Sequence, residues 1–283
     1  MNLNEISKPN SNVAGLVVTF NPDLPTLKLC LEGLIQQTSN VLVVDNNSDN
    51  ILNILEIVTY YDVRILRKNE NLGLAKALNY GLSELLNILS LEWIILLDQD
   101  SVLESNYISD LLSIMKREVL EMDRIWAVRG VEKNDRKENV KKTNHRIKYI
   151  KSSIMSASLI RVEALKSLHF RDDFFVDLVD SDFYYQIRKS DHDVLLINGV
   201  FFKHQLGKTI NMSGRKISYH NGTRIYYIVR NGLILLLEGK SELKLSLVLT
   251  FSIFPTIYVE GFKKTVKYYM RGLIDGFKYK VGK

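Results

Sequence analysis

Four short apolar runs alternate with stretches of helical spacing between Val13 and Ser101, and this alternation constrains the fold more than any other feature of the chain. The runs cover residues 13–20, 41–44, 63–66 and 93–97. Each is too short for a good helix and rich in β-branched or aromatic residues, so each reads as a strand buried within a sheet. Between them, Leu24, Leu27, Leu31, Leu34 and Ile35 recur at helical spacing, residues 51–60 continue the pattern, and Ala75, Leu78, Leu82, Leu85, Leu86 and Leu89 mark one face of a third helix. Strand and helix in strict alternation imply parallel strands joined by right-handed crossovers, an α/β architecture. All carboxyl ends then point to one rim, where open α/β sheets bind their ligands. Asn21, Asp45, Asn47 and the run Asp98-Gln99-Asp100-Ser101 follow strands directly, so they are expected to line one crevice of nucleotide size.

The fourth strand ends in two carboxylates, Asp98 and Asp100, two positions apart. Such a pair can aim oxygens at one hard divalent cation while leaving positions open for phosphate and water. Alone, such a pair more often closes a core strand with an Asx turn. The rest of the chain bears on the choice. A helix is expected over 107–120 and strands over 125–131 and 152–160, with the polar run 132–143 between them reading either as a solvated loop or as a contact to acceptor or membrane. An acidic stretch, 174–182, enters a short helix for which Asp180 or Ser181 would be the N-cap. A strand over 194–197 leads to His204, and a helical pattern begins at Thr223.

With 283 residues, the chain exceeds one ordinary core, so a full α/β domain with a smaller appendage is expected, divided as 1–215 and 216–283. Pro255 interrupts the apolar stretch 245–259, leaving no transmembrane helix. The basic ends and many aromatics of the C-terminal region suit helices lying on a membrane surface, or equally helices packed on the protein or in a homodimer. The net charge of +6 fits a polyanionic partner, but no aromatic and basic RNA-binding module recurs, so nucleic acid is not the expected one. Cys30, the single cysteine, falls within a helical apolar pattern and reads as a small buried hydrophobe, which excludes a disulfide framework and fits a reducing compartment. Residues 1–12 are polar and lack the pattern of a secretory leader, so a cytoplasmic location is expected.

The ordered set VVTFNP (17–22), VDNNS (44–48), NLGLAKALNYG (71–81), LLDQDS (96–101), VDLVDSDFYYQIR (176–188), HQLG (204–207) and RIYYIVRN (224–231) resembles the family 2 glycosyltransferases with the GT-A fold, within them the bacterial rhamnosyltransferase-like branch. The resemblance spans about residues 13–237. It implies a Rossmann-like, mostly parallel central sheet flanked by helices, with a C-terminal helical extension. It also implies an inverting, metal-dependent transfer of a sugar, L-rhamnose from dTDP-L-rhamnose, to a lipid-linked saccharide at the inner face of the cell membrane during O-antigen or capsule synthesis.

By the same resemblance, Thr19, Phe20, Asn21, Asp45 and Asn47 frame the nucleotide. Asn71, Gly73 and Lys76 belong to a segment passing beside the donor, as do Asp98 and Gln99. Asp100 and His204 would hold Mn²⁺ or Mg²⁺ on the diphosphate. Asp180 matches the catalytic base, with Asp177, Asp182 and Arg188 supporting it or the acceptor. One departure concerns Ser156-Ala157-Ser158-Leu159, where the family often carries Ser-Gly before the leucine. Transfer from another nucleotide sugar such as a UDP-hexose, and a catalytically inactive nucleotide-binding scaffold, are the competing readings.

Overall fold

The computed structural model describes residues 10–133, 146–204, 209–212, 215–240 and 253–281. Most of the polar run 132–143, residues 205–207 of the HQLG motif and residues 245–252 of the apolar stretch lie outside the described residues. The chain forms two compact units, one of Met1–Phe170 with Phe183–Gln205, the other of Arg171–Asp182 with Leu206–Lys283. Arg171–Asp182 thus joins the C-terminal residues, whereas the sequence reading drew its only boundary at residue 215.

In the first unit the alternation becomes β1 (Asn10–Thr19), α1 (Leu24–Ile35), β2 (Thr38–Asp45), α2 (Ile51–Tyr60), β3 (Arg64–Arg67), α3 (Leu74–Leu85) and β4 (Trp93–Asp98). β1 pairs in parallel with β2 and β4, and β2 with β3. Strand parity sorts the side chains. Val13, Val17 and Val43 pack with Leu27, Leu31, Ile54 and Ile57 of α1 and α2, while Leu16 and Val44, one position out of phase, close against Gly81 of α3. Helices therefore cover both faces of this half, as a buried parallel sheet requires.

Beyond β4 the sheet becomes mixed. It continues with β5 (Ser101–Leu103), α4 (Tyr107–Glu118), β6 (Ile125–Glu132), β7 (Ile147–Tyr149), β8 (Ser158–Arg161), α5 (Val162–Ser167) and β9 (Asp193–His204), in the spatial order β3-β2-β1-β4-β8-β6-β9-β5 with β7 also on β9. β8 is antiparallel to β4 and β6, and β9 is parallel to β6. The strand expected from residue 152 starts only at Ser158, because Ala157 turns left-handed (φ 61°) and gives its N–H to Leu96 O at 2.8 Å. β9 runs seven residues past its expected end, and this extension lets β5 pair with it so that Ser101 stands opposite His204.

The second unit holds the β10–β11 hairpin (Thr209–Met212, Arg215–Ser218), α7 (Gly222–Leu237), α8 (Ile253–Glu260) and α9 (Phe262–Val281). α6 (Val179–Lys189) has its first turn in this unit and continues into the other. It starts earlier than expected, which puts Asp180 and Ser181 inside the first turn rather than at the N-cap. Pro255 sits in the first turn of α8, where a missing N–H costs nothing. No described helix is long and apolar enough to cross a membrane.

Candidate active site

The rim of the parallel half is a hydrogen-bonded lattice built where β1 and β2 end. Asp45 is fully buried, its Oδ1 accepting from Thr19 Oγ1 at 3.0 Å and Ser48 Oγ at 2.5 Å, its Oδ2 from Ser48 N at 3.0 Å. Ser48 Oγ accepts from Asn21 N at 2.9 Å, and Asn21 trades side-chain bonds with Asp49. Asp45 thus has no surface to present to a nucleotide and instead fixes the loop whose exposed members include Phe20, Asn21 and Asn47. Asn21 (φ 48°) and Asn47 (φ 69°) both take the left-handed conformation that asparagine tolerates.

Asn46, absent from the sequence candidates, ties this loop to the next. Its Nδ2 donates to Asn71 Oδ1 at 2.8 Å and its Oδ1 accepts from Leu72 N at 2.9 Å, while Asn71 Oδ1 also takes Gly73 N at 3.0 Å. Gly73 holds φ 83° just before α3, a conformation a side chain would resist. Lys76 is exposed in the first turn of that helix. Asn79, of the same motif, is structural, pairing with Phe170 N and O. Gln99 is engaged likewise, its amide bracketing the backbone of Phe20 at 2.7 and 3.2 Å.

Where β4 turns into β5, Asp98, Asp100 and His204 each offer one ligand atom, all within 4.8 Å of one another. The β5–β9 pairing is what brings His204 across from a position 104 residues later than Asp100. His204 Nδ1 lies 2.7 Å from Ser101 Oγ and 3.4 Å from Asp100 Oδ1. Ser101 Oγ in turn accepts from Ser156 Oγ at 2.7 Å, and Ser156 Oγ accepts from Asp98 N at 2.9 Å. Two buried serines therefore link the carboxylate turn to the imidazole. A ring that gives its Nδ1 proton to Ser101 keeps a lone pair on Nε2, the arrangement metal-binding histidines use. Two carboxylates and an imidazole, partly exposed and close together, fit a divalent ion that keeps other positions for oxygen ligands. Cys30 is fully buried nearby; burial and the charges of Asp100 and Asp98 push its thiol far up, so it stays inert.

In the second unit, three aspartates of one motif have three different surroundings. Asp182 is 1% exposed and ion-paired to Lys240 at 3.3 Å and Arg171 at 3.6 Å. Arg171 also binds Asp173 at 3.1 Å and Glu238 at 2.8 Å, and Glu238 meets Lys240 at 3.0 Å. Burial works to raise the Glu238 pKa, but Lys240 and Arg171 outweigh it and hold the carboxyl below its usual value. Asp177, at φ 61°, is clamped by Arg224, while Asn231 donates to the carbonyls of Val176 and Asp177 at 3.0 and 2.9 Å. Asp180 is half-buried in the first turn of α6, its Oδ1 accepting from Ser181 N at 2.7 Å, where the helix dipole favours its charge. Arg188, in the other unit, gives its Nε to Tyr184 O at 3.4 Å.

A parallel β3-β2-β1-β4 half ending in a carboxylate turn, extended by a mixed half that returns a histidine to that turn, is the GT-A arrangement. The chain belongs to glycosyl transferase family 2, whose profile matches residues 16–175. It is a glycosyltransferase, 28% identical over 95% of its length to the dTDP-rhamnosyl transferase RfbF of Shigella flexneri, of which it covers 96%. Its fold is similar to that of GalNAc-T7, solved with UDP, GalNAc and Mn²⁺ (TM-score 0.56, 12% identity, 78% of this chain), and of S. aureus TarS (TM-score 0.51, 14% identity, 80% of this chain). The chain spans 47% and 40% of those two structures.

Proposed function

We propose that the protein transfers L-rhamnose from dTDP-L-rhamnose, with inversion, to a lipid-linked saccharide acceptor in bacterial surface polysaccharide synthesis, working as a peripheral protein at the inner face of the membrane. The observation that carries the donor is the likeness to a dTDP-rhamnosyl transferase along nearly the whole of both chains. Asp100, Asp98 and His204 would hold Mn²⁺ or Mg²⁺, which when bound supplies positive charge against the diphosphate as it leaves. Asp45 acts on the nucleotide indirectly, by fixing the loop that presents Phe20, Asn21 and Asn47. Lys76 adds a cation beside the donor segment.

Asp180 is assigned as the base. The acceptor hydroxyl oxygen forms its bond to the anomeric carbon as the bond from that carbon to the diphosphate oxygen breaks, and the hydroxyl proton passes to the Asp180 carboxylate. One displacement inverts the anomeric configuration. A carboxylate is a weak base toward an alcohol, so it works by position, taking the proton late in the attack. Asp180 is chosen as the position that matches the family's base; burial argues against Asp182, whose side chain is 1% exposed, and the clamp of Arg224 against Asp177. The test is a panel of nucleotide sugars scored by thermal shift with and without Mn²⁺. dTDP-L-rhamnose should raise the melting temperature in a metal-dependent way, and a larger rise with a UDP-hexose would replace the donor.

A further inference from the structure

α9 is a helix with two unlike faces. Its inner face approaches α7 through Gly272 and Gly276, where a Cβ would come within 2.7 Å of Tyr226 O and 2.9 Å of Arg230 O. Tyr226 donates to Asp275 at 2.9 Å and Arg171 to Tyr279 Oη at 3.1 Å on the same side, so the helix cannot turn about its axis without losing these contacts. That fixes what faces outward. Met270, Ile274 and Phe277, spaced i, i+4, i+7, are 48, 49 and 57% exposed, and they form one apolar stripe. Lys267, Arg271 and Lys278, all exposed, run along one edge of the stripe. The helix carries a single acid, Asp275, which accepts from Tyr226 and lies 3.7 Å from Arg271, whose side chain stays 71% exposed.

We propose that this face of α9 is the membrane-docking surface, seating its apolar stripe among the acyl chains of an anionic bilayer with Lys267, Arg271 and Lys278 at the headgroups. The inference rests on the reading of the acceptor as lipid-linked and deepens it by naming the surface and the charge of the lipid. Charge decides between occupants. A second copy docking by two-fold symmetry would set this patch against itself, cation facing cation, with no acid on the stripe to relieve them. A nucleic acid would match the cations but leave Met270, Ile274 and Phe277 without apolar partners. An anionic membrane surface satisfies both features at once.

The test uses the full chain and vesicles without acceptor or donor, so that its failure and a failure of the transfer reading are told apart. The protein should sediment with phosphatidylcholine vesicles containing about a third phosphatidylglycerol, and not with phosphatidylcholine alone. Added salt should release it. Lys267→Gln and Arg271→Gln should each weaken partition about fivefold, and Met270→Ser/Ile274→Ser/Phe277→Ser should abolish it. Circular dichroism and melting of each variant establish that it is folded. Sedimentation of the folded triple variant equal to wild type, equal binding to neutral vesicles, or a dimer that the triple variant dissolves would each overturn the proposal.

Discussion

Two acidic clusters, one in each unit, use the same side chain for opposite ends. At the β4–β5 turn, Asp98 and Asp100 share their surroundings with the His204 imidazole, each offering one ligand atom within 4.8 Å of the others. Before and within α6, Asp177 and Asp182 are locked to Arg224, Arg171 and Lys240. The first cluster gathers two carboxylates and an imidazole as candidate ligands around one point; the second has its cations built in. A run of aspartates is read by its partners rather than by its count.

The comparison breaks first at the chemistry. Asp180→Asn is expected to lower kcat by about 10²–10⁴-fold with the fold intact, and Asp100→Ala to abolish metal-dependent transfer; full turnover by either purified variant removes that residue's role. Second comes stability. Asp182→Asn strips a buried partner from Arg171 and Lys240 and should cost about 3 kcal/mol in urea unfolding. Asp100→Asn in metal-free protein should cost less than about 1 kcal/mol, since its side chain is 35% exposed and its contact with His204 is screened by water. Equal destabilisation by both would erase the distinction between the clusters.

A smaller effect reaches the metal through Ser101. Ser101→Ala removes the hydroxyl beside His204 Nδ1 and should weaken Mn²⁺ binding roughly 10–100-fold in a calorimetric titration. The second unit adds a pH dependence. Burial, and the charge of Arg224, lower the His220 pKa below 6.5 in spite of Asp177, so the folded state prefers the neutral ring. The stability it contributes is whole above 6.5 and falls away as pH drops below that value, because the unfolded chain then takes up the proton more readily. Melting curves of wild type and His220→Gln should converge as pH falls. The smallest change is Ala157→Gly, which relieves a left-handed alanine and should stabilise the chain by about 1 kcal/mol.

The parallel half was legible because its signals are local. Apolar runs and helical spacing mark β1 to β4 with their helices, α2 at its observed bounds, and the polar residues that end each strand follow from sheet geometry. What escaped reading depends on pairing across long stretches of chain. β5 is three residues long and gives no periodic signal, yet it puts Ser101 against His204. Asn46, Ser48 and Ser156 look like ordinary loop polars until their partners, 25 or more residues away, are in place. Asp45 was expected at the nucleotide and is buried within the loop that follows β2; its neighbours Thr19 and Ser48, both able to donate to a carboxylate, were the available hint. The replaced family glycine at Ala157 was a usable signal, since it marked a position with positive φ.

The measurement closest to the central claim is a titration of Mn²⁺ into the protein in the presence of dTDP, followed by electron paramagnetic resonance, for wild type and for Asp100→Ala. One bound ion whose spectrum changes on adding dTDP, lost in the variant, is the predicted result. Unaltered binding in Asp100→Ala, or no bound ion in wild type, would contradict it.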